Sequence, residues 1–221
     1  MEKALTLYDT TIGKKAVLAV TGIVLFGFVI GHMLGNLQVF MGPEQLNGYA
    51  QHLRDLGPLL WVVRGVLLLS VITHIWISMS LVMRSAKARS VGYRMKKNTT
   101  TSYAALTMKI TGPLVLLFII YHIAHFTVPG VPMGHYQHSH TDVYANVIHG
   151  FSIPWVAGVY IAAQILLGYH LYHGAWSLFQ SLGWNHPKYN EKKRLVAQTI
   201  AMFVVFGNIS MPLAVVAGLV K

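Results

Sequence analysis

The stretch Tyr169-His170-Leu171-Tyr172-His173-Gly174-Ala175-Trp176-Ser177 sets two imidazoles late in a long apolar segment. Polar side chains are costly in hydrocarbon and usually serve a function there. Other apolar segments carry His32, His74, and the doublet His122 and His125. A neutral imidazole is a strong ligand for transition metals. Two imidazoles facing each other at one depth can fill both axial positions of a haem iron. Such an iron has no open site and transfers electrons instead of binding oxygen. Four histidines on four segments therefore point to two bis-histidine haems. The other ring nitrogen of each ligand should donate to a carbonyl or hydroxyl.

The elements that must position these residues are membrane spans. The chain has 221 residues, of which 54% are hydrophobic and only 10% charged. A soluble domain carries about a quarter charged residues. Each span needs roughly 20 apolar residues. Five segments qualify, at about 16–37, 58–83, 105–128, 153–182 and 195–220. The expected fold is an all-α integral membrane protein: one transmembrane domain over 1–221, a haem-binding bundle of five helices. The first apolar run, preceded by Lys14 and Lys15, is too long for a signal peptide and lacks a small-residue cleavage site, so it reads as a retained span.

The formal charge is +11. Its basic residues sit in short loops between apolar runs, with no continuous face to follow a phosphate backbone, so nucleic acid is not an expected partner. Their distribution predicts orientation instead. Of seventeen Lys and Arg, only Arg54, Arg64 and Lys221 fall on one side of a five-span topology. The acidic residues divide evenly, with Glu2, Asp9 and Glu191 on one side and Glu44, Asp55 and Asp142 on the other. A bias confined to basic residues follows the positive-inside rule and puts the N-terminus inside and the C-terminus outside. There is no cysteine. That excludes disulfides, thiolate-held iron–sulfur clusters and a Cys-x-x-Cys-His haem attachment within this chain.

Depth along each span follows from a rise of 1.5 Å per residue. His32 lies about 24 Å, and His122 roughly 25 Å, from the inner ends of their spans. His74 lies about 14 Å and His170 about 18 Å from theirs. This pairs His32 with His122 at an outer level and His74 with His170 at an inner level. Members of each doublet are three residues apart and point roughly the same way, so depth does not separate His122 from His125, or His170 from His173.

Lesser features surround these. Gly27, Gly31 and Gly35 form a stripe at spacing four. Such stripes serve close helix packing, and Gly31 and Gly35 could also leave room for a flat macrocycle beside His32. Arg64 and Lys109 are candidates to pair with haem propionates or to snorkel to the interface. The segment 43–56 has Leu46, Tyr49, Ala50, Leu53 and Leu56 near one face, which predicts a short interfacial helix. The segment 129–150 is polar; its His135, His138 and His140 could bind a metal or form a solvated loop.

The pattern resembles a known family, the single-chain, five-helix, dihaem cytochrome b anchor of succinate dehydrogenase or fumarate reductase (succinate:quinone oxidoreductase), with b558-type subunits the nearest likeness. The resemblance covers the whole chain. It is most specific at His170-Leu-Tyr-His-Gly-Ala-Trp-Ser177, continuing to Phe179-Gln180-Ser-Leu-Gly183 and Asn185-His186-Pro187. Gly31-His32-Met-Leu-Gly-Asn36 and Tyr121-His122 match the family's patterns in helices one and three. The resemblance implies His32, His74, His122 and His170 as ligands, with helices one and three holding one haem and two and four the other. It implies two haems b, an FAD flavoprotein subunit and an iron–sulfur subunit on the cytoplasmic side, and exchange with a quinone, menaquinone. The bacterial cytoplasmic membrane is the implied location, with lipid around the spans. Arg84–Lys97 and Trp184–Arg194 are then candidate docking loops. Some fumarate reductases of this kind carry a proton-moving glutamate two residues before the helix-four ligand; Gly168 stands there instead.

Quinone reduction needs polar groups and a proton supply. Gln38, Glu44, His52, Arg54 and Asp55 are outer candidates, without a choice among them. Two rival functions differ in partners or chemistry. One is a dihaem cytochrome b subunit of another respiratory enzyme, such as a hydrogenase or formate dehydrogenase. The other is a transporter whose histidines carry protons or ions.

Overall fold

The structure, a computed structural model, describes residues 6, 9–88, 91, 94–95, 97–98, 101–128 and 137–221. It contains α1 (Thr11–Asn36), α2 (Pro43–Asp55), α3 (Pro58–Lys87), α4 (Tyr103–Phe126), α5 (Val143–Phe151), α6 (Pro154–Ser181) and α7 (Pro187–Val216). A 3-10 turn, Leu37–Met41, continues α1. Five helices (α1 with its 3-10 turn, α3, α4, α6 and α7) are long and apolar enough to cross a membrane. No strand occurs among the described residues.

Helix starts follow capping chemistry more than hydropathy. Thr10 Oγ1 accepts from the Gly13 amide at 2.9 Å and begins α1. Ser102 Oγ accepts from the Ala105 amide at 3.2 Å and begins α4. A proline opens α2, α3, α6 and α7, where its missing N–H would have been unpaired anyway. At α7 the cap is His186, whose Nδ1 accepts from the Lys188 amide at 3.2 Å. That helix therefore starts at Pro187, two turns ahead of the predicted 195. Its first turns carry the charged run Lys188–Arg194, which the apolar pattern excluded.

The polar segment predicted over 129–150 also holds a helix, α5. Asp142 Oδ1 caps it, accepting from the Ala145 amide at 2.9 Å and from Asn47 Nδ2 at 3.0 Å. The Ala145 amide first, and then Asn47, hold its carboxyl below the usual carboxylate range. Asn47 Oδ1 in turn accepts from the Tyr144 amide at 2.9 Å. These bonds tie α5 to α2, the short helix predicted over 43–56, whose Leu46 is buried against Val39, Phe151, Val156 and Tyr160. The Tyr144 hydroxyl donates to the Lys221 carbonyl at 2.9 Å. The connections after α1 and before α6 thus gather with the end of the chain at one end of the bundle. At the other end Lys14 Nζ donates to Ser80 Oγ at 3.0 Å, and Arg84 donates to the Asp9 carbonyl at 2.8 Å, closing α1 on α3. His135 lies outside the described residues.

Between these ends the spans pack unevenly. α6 packs along α7 and α4, α1 packs along α3, and α1 meets α6 and α7. At Gly168 α6 lies close against α7: a Cβ there would stand 2.5 Å from Val205 Cγ2. By contrast, α1 and α4 share no extended backbone contact, nor do α3 and α6. Those are the two helix pairs whose histidines were matched by depth.

Candidate functional site

The inner pair is His74 of α3 and His170 of α6, with ring centroids 6.3 Å apart and planes inclined by 51°. The local geometry favours one tautomer of His74. Thr21 of α1 donates its one hydroxyl proton to the Val17 and Leu18 carbonyls, both at 3.0 Å. Its oxygen is left as an acceptor 3.2 Å from His74 Nδ1, so Nδ1 carries the hydrogen and donates. Nε2 of His74 is then the nitrogen with the free lone pair. His170 has no such tether: its Nδ1 is buried without a hydrogen-bond partner. An unsatisfied buried polar atom costs about 1–3 kcal/mol, which marks this ring as one that needs a partner.

The outer pair is His32 of α1 and His122 of α4, with centroids 5.7 Å apart and planes nearly perpendicular at 81°. Phe28 stacks on His32 at 5.3 Å, and Phe118 lies 5.8 Å from His122. Asn36 Nδ2 donates to His32 Nε2 at 3.1 Å, so this nitrogen too bears a lone pair. A metal at Nε2 would displace that amide. His122 Nδ1 lies 3.3 Å from the Tyr160 hydroxyl.

The spacing fits a metal between the rings. A metal–imidazole bond is about 2 Å long, so two imidazoles on opposite sides of one ion stand with centroids roughly 6 Å apart. Rotation about the axis leaves the interplanar angle free. The facing helices make no extended contact, and Cβ atoms added at Gly27 and Gly31 would meet nothing within 4 Å, so α1 has open space beside His32. Among the described residues no three His, Asp or Glu groups cluster. A haem asks the protein for two axial ligands only, and two imidazoles are what each level offers.

The doublets separate in space. His170, not His173, stands opposite His74, and His122, not His125, stands opposite His32. His173 Nδ1 is buried without a hydrogen-bond partner. His125 is fully buried; it stacks on Tyr121 at 5.5 Å and its Nδ1 lies 2.9 Å from the same Tyr160 hydroxyl that faces His122. Tyr160 was not singled out in the sequence. A tyrosine ten residues before His170 in an apolar helix carries no sequence signal, because its importance comes from α4 lying alongside.

One expectation needs correction, and the other side chains singled out in the sequence take the following places. Gly35 does not leave room for a macrocycle: its face is filled by Tyr49, whose ring would lie 2.6 Å from an added Cβ. Gly31 alone of that pair borders open space. Arg64 is exposed and lies over the Trp61 ring at 4.9 Å, and Lys109 is exposed, so neither is drawn in among the histidines. Of the outer polar candidates, Gln38, Arg54 and Asp55 bond side chains of α2. Gln45 donates to Gln38 at 3.0 Å, Arg54 to Gln51 at 2.9 Å, and Gln51 to Asp55 at 2.7 Å; Glu44 and His52 are exposed. His138 and His140 are 5.8 Å apart, and His138 Nε2 bonds the Phe126 carbonyl at 3.0 Å, which reads as a loop clasp more than a metal site.

Fold and site together define a strand-free bundle of five membrane-spanning helices, among the described residues, with two facing imidazole pairs. No family model, curated protein or solved structure matches the chain.

Proposed function

We propose that this chain is the membrane anchor of a succinate:quinone oxidoreductase of the bacterial cytoplasmic membrane. It passes electrons between an iron–sulfur subunit and menaquinone. The observation that carries the reading is the pair of imidazole pairs, at 5.7 and 6.3 Å, contributed by four separate spans. His32 and His122 would hold one haem b, and His74 and His170 the other. Bound there, haem supplies a one-electron carrier whose potential depends on its ligands and their hydrogen bonds. The residues of this chain orient the ligands: Thr21 holds His74, Tyr160 meets His122, and Phe28, Phe118 and Phe126 line the outer rings.

The family resemblance rests on the residues around the ligands, Gly31-His32 to Asn36, Tyr121-His122, and His170 to Trp176-Ser177. It supplies the partners: an iron–sulfur subunit and an FAD flavoprotein subunit docking on the basic side, near Arg84 and Arg194. The reading is tested by a pyridine haemochrome assay on the purified protein, expected to give two haems b per chain. Absence of haem would overturn the haem assignment. Two haems with co-purifying hydrogenase or formate dehydrogenase subunits would overturn the choice of enzyme.

A further inference from the structure

Tyr160 is where the outer site extends beyond its two facing rings. Its hydroxyl oxygen lies 3.3 Å from His122 Nδ1 and 2.9 Å from His125 Nδ1. It has one proton to give, so it can donate to only one of these nitrogens and must accept from the other. We propose that Tyr160 is a positioning residue that holds His122 in the Nδ1–H form and hands its own proton to His125. The proposal rests on the reading of His122 as a ligand through Nε2.

The direction follows from proton bookkeeping. A ligating Nε2 needs its lone pair, so the hydrogen of neutral His122 is on Nδ1 and is donated to the Tyr160 oxygen. The Tyr160 proton then points to His125 Nδ1, and the hydrogen of neutral His125 is on Nε2. This Nε2 is buried and without a hydrogen-bond partner, so it is a donor in want of an acceptor. The complementary group is close by. His138 has Nε2 3.0 Å from the carbonyl of Phe126, the residue next to His125, and a carbonyl only accepts. Its hydrogen is therefore on Nε2, and its buried, unpartnered Nδ1 is an acceptor. Asn146 Nδ2 gives one of its two hydrogens to the Ser139 carbonyl at 2.7 Å and stands 3.4 Å from His138 Nε2, so the shorter Phe126 contact sets this polarity. The donors of His122 and Tyr160 thus point away from the facing pair and toward His125.

A hydrogen bond donated by a ligating imidazole raises its basicity and favours the oxidised iron. Substituting Tyr160→Phe removes that bond while keeping the ring. In a redox titration of the full chain, the outer haem should move to more positive potential and the inner haem should stay. Affinity for the outer haem should fall about tenfold, the low end for losing such a partner. Thr21→Val should do the reverse, moving only the inner haem. A second pair of variants covers the case in which Tyr160→Phe fails to fold. His125→Leu takes away the acceptor of the Tyr160 proton and should shift the outer potential, whereas His125→Gln, which keeps an acceptor oxygen, should restore it. Two haems with an outer potential indifferent to Tyr160→Phe, or to both His125 variants, would overturn this inference. A wild-type protein without haem would instead overturn the function on which it rests.

Discussion

At the scale of single residues, the histidine doublets show how the same side chain takes different work from its surroundings. His170 and His173 are one turn apart on α6, yet only His170 has an imidazole opposite it, 6.3 Å away. Under the proposed function, His170→Ala removes an axial ligand at the inner level and leaves His32 and His122 in place. The expected result is loss of about half of the haem b absorbance, with the outer haem retaining its potential. His173→Ala should retain both haems. Loss of the haem held by His32 on substituting His170 would break the pairing, as would loss of haem from the His173 variant alone. The spatial pairing was legible in the sequence because depth along a helix is simple counting. Counting does not make the choice within each doublet, since residues three apart share a face; the resemblance around Tyr121-His122 and His170 to Trp176-Ser177 made it, and the helix packing sets the same two rings opposite His32 and His74. Tyr160 and His125 were illegible because their connection joins α6 to α4 and exists only after packing.

At the scale of elements, the spans were read correctly in number because length and apolarity are properties of the segment itself. Their ends were displaced where a cap or a proline, not hydropathy, decides the start, as at Pro187. α5 was missed because a nine-residue helix held by Asp142 and Asn47 depends on a partner almost a hundred positions earlier. The contact of α6 with α7 at Gly168 is a stiff constraint between elements. A methyl at position 168 would stand 2.5 Å from Val205 Cγ2, and a β-branched valine cannot swing aside within a helix. Gly168→Ala should therefore force α6 and α7 apart and cost about 1–3 kcal/mol, the usual range for overpacking. Thermal unfolding in detergent would show it as a lowered midpoint. Adding Val205→Ala should recover most of the loss, because the clash lies with one methyl group. Equal losses in the single and double variants would mean that the close approach is not the constraint.

At the scale of the whole molecule, five spans put the two termini of the described chain at opposite ends, and the observed contacts agree on which segments share an end. α2, α5 and Lys221 are joined through Asn47, Asp142 and Tyr144, while Asp9, Lys14, Ser80 and Arg84 meet at the other end. Which end faces the cytoplasm is a matter of charge. The end with Lys14, Arg84, Arg94, Lys97 and Arg194 is basic; the other keeps Arg54, Arg64 and Lys221. Positive loops resist translocation, so the basic end should remain inside. The chain has no cysteine, so any single introduced thiol reports its own position without background. In intact cells, a membrane-impermeant maleimide should label Ser139→Cys and leave Asn98→Cys and Glu191→Cys unlabelled until the membrane is permeabilised. The opposite pattern would invert the topology. It would also put the basic end on the side away from the proposed iron–sulfur and flavoprotein subunits, so the same labelling tests whether the inner imidazole pair lies nearer to those subunits.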